Sequence, residues 1–334
     1  MKLAVGFITY NESSAGYLAD FLPSLETALG FLSPDDYRIY VFDNSTPDDR
    51  SNRNILENYN AGVAGVGPDA GAVAPRRPLR IMTQGGNLGF SRAYNLLIEA
   101  ALADRAQYFL IVNPDTLWEA DALEKLVAAL DNDATLASVS PKIRCWDFVS
   151  RQKTTVIDSL GLLLEPGLRF LDLGQGAIDR GQFDQAQILG PSGAAGLFRL
   201  SALVRVAIGD SRHPQYFDER FFMYKEDCDL AYRLFLFGFA SALVPAAVVY
   251  HDRTAAASGR GLWHLWRDRG KKSRAVRAWS FHNQHLIFVK YWTQQNTANK
   301  IMILFRVLSM FIFSLILERF LLKEYRCLGR ELKG

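Results

Sequence analysis

Four short apolar runs, each ending in a polar or glycine-bearing turn, constrain this chain more than any other feature. They are LAVGFITY (3–10), YRIYVFD (37–43), LRIMTQ (79–84) and YFLIVN (108–113). Each is short, rich in β-branched and aromatic residues, and bounded by turn formers, which is the pattern of a buried strand. Between them, residues 14–30, 90–104 and 119–131 carry helix-like spacing. This alternation predicts an α/β fold, a mostly parallel central sheet with helices on both faces. Ligands of such sheets sit beyond the carboxyl ends of the strands. Those ends read NE (11–12), DNS (43–45), QGGNLG (84–89) and NPD (113–115), all polar or glycine-rich. Four in succession are what a nucleotide site would supply.

Residues 46–78 are rich in Gly, Ala, Asn and Pro without a period, which predicts a surface loop or insertion. Further strands are expected near 137–143, 154–158, 187–198 and 241–250, and a helix over 226–238. From about 255 the chain reads as helical, first basic and then apolar, so the expected division is 1–255 and 256–334. With 334 residues, 49% of them hydrophobic, a sizeable core can be buried. A net charge of +3 leaves no electrostatic footprint for nucleic acid, and none is expected as a partner. Cys145, Cys228 and Cys327 stand far apart without zinc spacing, which predicts free thiols in a reducing compartment. The run MKLAVGFITYNE is too short for a signal peptide and lacks a small-residue cleavage site, so a cytoplasmic chain is expected.

Several stretches can carry chemistry. Asp115 follows a strand and a proline; it is either a turn residue or one of the few carboxylates a diphosphate-bound cation needs. GGNLGFSRAYN (85–95) opens a helix, where glycines allow close backbone approach and the helix start favours anions. Asp43 either accepts a hydrogen bond from a base N–H or caps a turn. His251 ends an apolar run; it is structural unless Asp115 lies nearby, in which case its imidazole can complete a metal shell. FDERFFMYKEDCDLAYRLFLFGF (217–239) places Glu226, Asp227 and Asp229 among aromatic and aliphatic residues. An acidic first helical turn complements the helix dipole, which accounts for one carboxylate but not three. If the helix starts at the ligand edge of the sheet, Asp227 can act as a general base tuned by apolar neighbours and a nearby carboxylate.

Taken together, ITYNE, VFDNS, GGNLGFSRAYN, VNPDT, GAAGLFRLSAL, FFMYKEDCDLAYRLFLFGF and the histidine of VVYHD resemble family 2 inverting glycosyltransferases of GT-A fold. The resemblance is to the bacterial rhamnosyltransferase-like branch, over about 3–255 and more loosely to 292. It implies nucleotide contacts at Thr9, Asn11 and Glu12, base recognition by Asp43, and nucleotide or ribose contacts at Asn87, Gly89, Arg92 and Asn95. It implies a metal motif ending in Asp115, with Asn113 where the family usually begins with Asp. Gly193, Ala194 and Ala195 fall beside the donor sugar, Asp227 is the catalytic base with Glu226 next to it, and His251 joins the metal site. The implied cofactor is Mg2+ or Mn2+. The implied donor is dTDP-L-rhamnose and the acceptor a lipid-linked glycan; the alternatives are another donor such as a UDP-sugar, or an inactive nucleotide-sugar-binding scaffold. A nucleotidyltransferase would place a basic glycine-rich loop near the N-terminus, and ITYNESSAG has no Lys or Arg.

Residues 251–280 hold eight Lys or Arg against two Asp and precede the apolar run 301–323. Spanning a bilayer takes about 20 apolar residues. A helix lying in the interface is expected instead, with Arg306 reaching head groups and the basic stretch attracting anionic lipid. Trp263, Trp266, Trp279 and Trp292 are either core residues or interfacial anchors. The protein is therefore expected as a peripheral enzyme at the cytoplasmic membrane face.

Overall fold

The computed structural model describes residues 1–62, 78–252 and 273–331. Eleven strands are described, β1 (Leu3–Thr9), β2 (Tyr37–Asp43), β3 (Arg80–Met82), β4 (Tyr108–Val112), β5 (Thr116–Trp118), β6 (Leu136–Asp147), β7 (Gln152–Ser159), β8 (Leu162–Glu165), β9 (Arg169–Asp172), β10 (Ala195–Arg199) and β11 (Ala240–His251). Helices α1 (Asn11–Leu29), α2 (Ser51–Asn60), α3 (Gly89–Ala103), α4 (Ala122–Asn132), α5 (Leu200–Arg205) and α6 (Glu226–Leu236) connect them. The C-terminal part adds α7 (Arg274–Lys290), α8 (Thr297–Ile316), a short 3-10 turn at Arg319–Leu321 and α9 (Leu322–Glu331).

The main sheet runs β3-β2-β1-β4-β10-β6-β11-β5, with β7 on β6. From β3 to β4 every pairing is parallel. Strand β10 then runs antiparallel to both β4 and β6, while β11 is parallel to β6. The sheet is therefore mixed, and its direction changes at the β4–β10 seam. Strand alternation explains why the first runs read as continuously apolar. Leu3, Val5 and Phe7 of β1, with Ile39 and Val41 of β2, face the α1–α4 layer. Ala4 of β1, with Tyr40 and Phe42 of β2, faces the α3–α5 layer.

Two expectations about secondary structure change. Part of the expected loop 46–78 is helix α2, which buries Asn52, Leu56 and Tyr59. Its sequence SNRNILENYN sets Asn52, Ile55, Leu56 and Tyr59 at helical spacing, but the polar Asn52 and the Asn-rich neighbours mask the stripe. Residues 63–77 lie outside the described residues. The strand expected over 187–198 begins only at Ala195. Before it, Gly190-Pro191 interrupts the pattern, because proline has no N–H to give a ladder. The loop folds back so closely that a Cβ on Gly196 would lie 2.5 Å from Pro191.

Helix α7 packs Leu286, Ile287 and Phe288 into one apolar cluster with Cys228, Ala231 and Tyr232 of α6. Helix α8 has 20 residues and a mean hydropathy of 1.8, yet only 11% of that window is buried. Ile303 and Ser314 face inward; Leu304, Phe305, Leu308, Phe311 and Ile312 are exposed. Arg306, expected to reach out to head groups, is half-buried against the protein. Its guanidinium donates to Pro166 O at 3.3 Å, in the β8–β9 turn, whose Gly167 N–H donates to Asn299. The basic stretch 251–280, including Trp263 and Trp266, lies largely outside the described residues. Trp279 contacts the Phe222 ring, and Trp292 packs beside the α6–α7 cluster.

Candidate active site

The ends of β1 and β2 are tied to each other. Thr9 Oγ1 donates to Asp43 Oδ1 at 3.0 Å, and the Ser45 N–H reaches the same oxygen. Asn11, at φ 44°, accepts the Thr46 N–H on its side chain and the Asn52 amide on its carbonyl. The Glu12 N–H donates to Asp49. Next to them, Asn44 clasps the glycine loop, accepting from Leu88 N–H and donating to Gly89 O. Gly89 has φ 76°, and a Cβ there would lie 2.4 Å from Phe222 O. Only glycine fits that conformation and that approach.

At the β4 end, the Asn113 N–H donates to Ala194 O at 2.9 Å, which closes the seam with β10. Asp115 follows. Pairing of β11 with β5 sets His251 opposite Thr116, and this brings the imidazole to Asp115. His251 Nε2 lies 3.2 Å from Asp115 Oδ1, and Nδ1 lies 2.8 Å from Asp158 Oδ2. The Asp115 oxygen has no hydrogen-bond partner among the described residues, so the contact is close without being aligned. Burial disfavours the imidazolium, but Asp115 and Asp158 outweigh it and push the His251 pKa up to about 10. Asp252 N–H donates to Asp115 O, and its carboxylate accepts from Tyr17 OH at 2.7 Å.

Across the cleft, α6 begins after two residues in left-handed conformation, Tyr224 (φ 73°) and Lys225 (φ 72°). The three carboxylates of its first turn have three fates. Asp229 is fully buried in ion pairs with Arg233 at 2.9 Å and Lys290 at 2.6 Å, and it accepts from Tyr291 OH. Glu226 is 6% exposed, and its Oε2 has no hydrogen-bond partner among the described residues. Burial, then the neighbouring Asp227 charge, raises its pKa well above the carboxylate range. Asp227 is held by two N–H groups, from Gly193 to Oδ2 at 3.0 Å and from Cys228 to Oδ1 at 2.7 Å. A carboxylate oriented by backbone donors keeps acceptor capacity toward an incoming hydroxyl.

Asn87, Gly89, Asn113, Asp115, Gly193, Ala194, Glu226, Asp227 and His251 line one cleft of about 470 Å3. The other expected contacts are not among its walls. Thr9 and Asp43 shape the strand ends by bonding each other, and Asn11 and Glu12 by bonding the 45–52 segment. Arg92 is exposed on α3. Asn95 is buried and spends its amide on the backbone of Tyr216 and Phe217. Ala195 is buried in the seam.

Asp158, Asp172, Asp252 and Ser192 also line the cleft and escaped the sequence reading. Asp252 adjoins His251 and could have been suspected. Asp158 sits late in β7, and nothing local announces that this strand folds over the β4 end.

The residues present suit a divalent cation. Asp115 offers an unpartnered oxygen, and His251 faces it with a ring oriented from behind by Asp158, the carboxylate–histidine arrangement common behind metals. Among the described residues no group of three or more His, Cys, Asp and Glu could hold a metal ion. A diphosphate-bridging cation needs only one or two protein ligands.

A mixed sheet that runs parallel to β4 and reverses at β10, with carboxylates gathered at that seam, is the fold shared with GT-A glycosyltransferases, and the family match makes the chain a glycosyltransferase of that fold. The sequence profile of glycosyl transferase family 2 matches residues 4–203, and the chain belongs to this family. It is 29% identical over 208 residues to the N-acetylglucosaminyl-diphospho-decaprenol L-rhamnosyltransferase of Mycobacterium tuberculosis, covering 57% of this chain. The chain spans 64% of that relative's length. The mannosyltransferase PcManGT of Pyrobaculum calidifontis, solved with GDP-Man and Mn2+, superposes with a TM-score of 0.51 at 17% identity, covering 98% of this chain and 73% of the other. GalNAc-T7, solved with UDP, GalNAc and Mn2+, gives 0.50 at 11% identity, covering 75% and 43%.

Proposed function

We propose that this enzyme inverts configuration while moving L-rhamnose from dTDP-L-rhamnose to a hydroxyl of a lipid-linked glycan. The single observation that carries the inverting reading is Asp227. It lines the same cleft as Asp115 and His251, and it is aimed by the Gly193 and Cys228 N–H groups. The donor and acceptor classes are supported by the likeness to the mycobacterial rhamnosyltransferase.

In this reading the acceptor hydroxyl gives its proton to Asp227 as its oxygen bonds to the anomeric carbon. The bond from that carbon to the diphosphate oxygen breaks, and the nucleoside diphosphate leaves with the electron pair. A single displacement inverts the centre. Asp115 and His251 would hold Mg2+ or Mn2+, which neutralises charge on a diphosphate when bound. The glycine loop and the helix start at Gly89 receive the nucleotide, where backbone N–H groups favour anions.

The enzyme is further proposed to work at the cytoplasmic membrane face, with the exposed apolar side of α8 lying in the interface rather than spanning it. The packing of Ile303 into the α6–α7 cluster and the bond from mid-helix Arg306 to Pro166 O support this, because a helix held along the catalytic part offers only its outer side to lipid.

A donor panel with nucleotide release as the readout tests the function. Release from dTDP-L-rhamnose is expected, and release from UDP-sugars only would overturn the rhamnose reading. Asp227→Asn is expected to abolish transfer while leaving nucleotide affinity nearly intact.

A further inference from the structure

The segment before Asp227 is strapped down along its whole length. From α3, the Phe90 N–H donates to Phe222 O at 2.7 Å and Ser91 Oγ donates to Phe221 O at 2.6 Å. Asn95 holds residues 216 and 217 from the same helix. From the C-terminal side, Lys290 of α7 grips Asp218 at 2.7 Å. Helix α7 also supplies Asn283, which is 2% exposed. Its Nδ2 donates to Met223 O at 2.9 Å and to Tyr224 O at 2.6 Å. One amide nitrogen thus spends both protons on consecutive carbonyls.

One carbonyl precedes the left-handed pair and the other lies within it, since Tyr224 is itself the first strained residue and Lys225 follows. Tyr224 and Lys225 both have positive φ, a left-handed conformation that side chains disfavour. Such a conformation persists only where the surroundings over-determine it. Two residues after Lys225's strained predecessor stands Glu226, and Asp227 follows. The direction in which α6 leaves the turn decides whether Asp227 meets the Gly193 N–H.

We propose that Asn283 is a positioning residue for transfer. By holding the Met223 and Tyr224 carbonyls it keeps the left-handed exit closed, and that exit aims Asp227 at the Gly193 side of the cleft. Asn283 stands in α7, beyond the family-matched residues 4–203, and reaches the site through its bonds to the Met223 and Tyr224 carbonyls. The inference rests on the reading of Asp227 as the base.

The test compares the full chain with Asn283→Ala, Asn283→Asp and Asp227→Asn. Hydrogen exchange followed by mass spectrometry needs no substrate. Asn283→Ala is expected to speed exchange in peptides covering 222–229 and Gly193 by about tenfold or more, while later α7 peptides keep their protection. Unchanged protection at 222–229 overturns the clamp. With the donor that releases nucleotide fastest in the panel, both Asn283 variants are expected to lose about 10- to 100-fold in kcat, with the Kd for nucleoside diphosphate within about twofold. Asn283→Asp keeps the shape but removes both donors, so it should fall at least as far.

Ile303→Ala serves as the stability control, since Ile303 is buried in the α6–α7–α8 cluster away from the cleft. It is expected to lower the melting temperature and keep kcat. An equal loss of kcat in Ile303→Ala would reduce Asn283 to a stabilising residue. An active Asn283→Ala beside a dead Asp227→Asn overturns only the clamp. An active Asp227→Asn overturns the base and the clamp together, because nothing at 227 would then need aiming.

Discussion

Lys290→Met isolates the ion network that fastens α7 to α6. The ammonium lies 2.7 Å from Asp218 and 2.6 Å from Asp229, and both carboxylates are at most 1% exposed. Methionine replaces the apolar stem but leaves two buried carboxylates short of a cation. Removing one partner of a buried pair costs about 3–5 kcal/mol. Asp229 keeps Arg233 and Asp218 keeps Arg220, so the lower end, about 3 kcal/mol, is expected. With a urea m-value of about 3 kcal/mol/M, the midpoint should fall by about 1 M. The penalty should also depend on pH in one direction. Burial opposes ionisation of Asp218, but Arg220 and Lys290 outweigh it and hold its pKa well below the ordinary value. A carboxyl lowered in this way stabilises the fold above its unfolded pKa of about 3.9, and that contribution is lost as pH falls through the folded value. Wild type and variant should therefore differ fully at pH 7 and converge in strong acid. Urea titrations at pH 7, 4 and 2.5 read this directly. A midpoint shift below about 0.3 M at pH 7, or a penalty that does not shrink in acid, would refute the reasoning.

Gly89→Ala should cost about 1–2 kcal/mol for the positive φ and about 1–3 kcal/mol for the clash with Phe222 O. Thermal unfolding should show the loss, and calorimetric titration should show weakened nucleotide binding. Asp158→Ala removes the carboxylate behind His251 Nδ1, and the Mn2+ concentration for half-maximal activity should rise about 10- to 100-fold. Phe305→Glu with Ile312→Glu changes only the exposed side of α8 and should release the protein from anionic vesicles in a flotation assay. Retention of the double variant would place the membrane contact elsewhere. These substitutions probe the interface more cleanly than deletion of 296–334, which would also strip Ile303 and Leu328 from the α6–α7 cluster.

What the sequence determined by itself was local and periodic. Apolar runs of strand length, helical spacing between them and polar strand ends were enough for a layered α/β fold and for Gly89, Asp115, Glu226, Asp227 and His251 as residues able to carry chemistry, while Asn87, Asn113 and Gly193 entered only through the family resemblance. Each of these stands at an element terminus or a glycine turn, where side-chain and backbone chemistry leave a mark in the string. Helix α2 left a weaker mark, because one of the residues on its buried stripe, Asn52, is polar and blends into the surrounding loop composition.

The tertiary structure alone decided which candidates share a cleft and which support it from behind. Asn95 and Asp43 have the chemistry of ligand contacts, yet the folded chain supplies them with partners of its own, the Phe217 carbonyl for Asn95 and the Thr9 hydroxyl for Asp43. Asp158 reaches His251 across 93 residues, and Asn283 reaches Tyr224 across 59. Arg306 turns to Pro166 instead of outward. Pairings over such distances depend on strand order and helix packing, so no local window of sequence contains them. The physical reason is that a hydrogen bond recognises position in space, and position in space is a property of the assembled sheet.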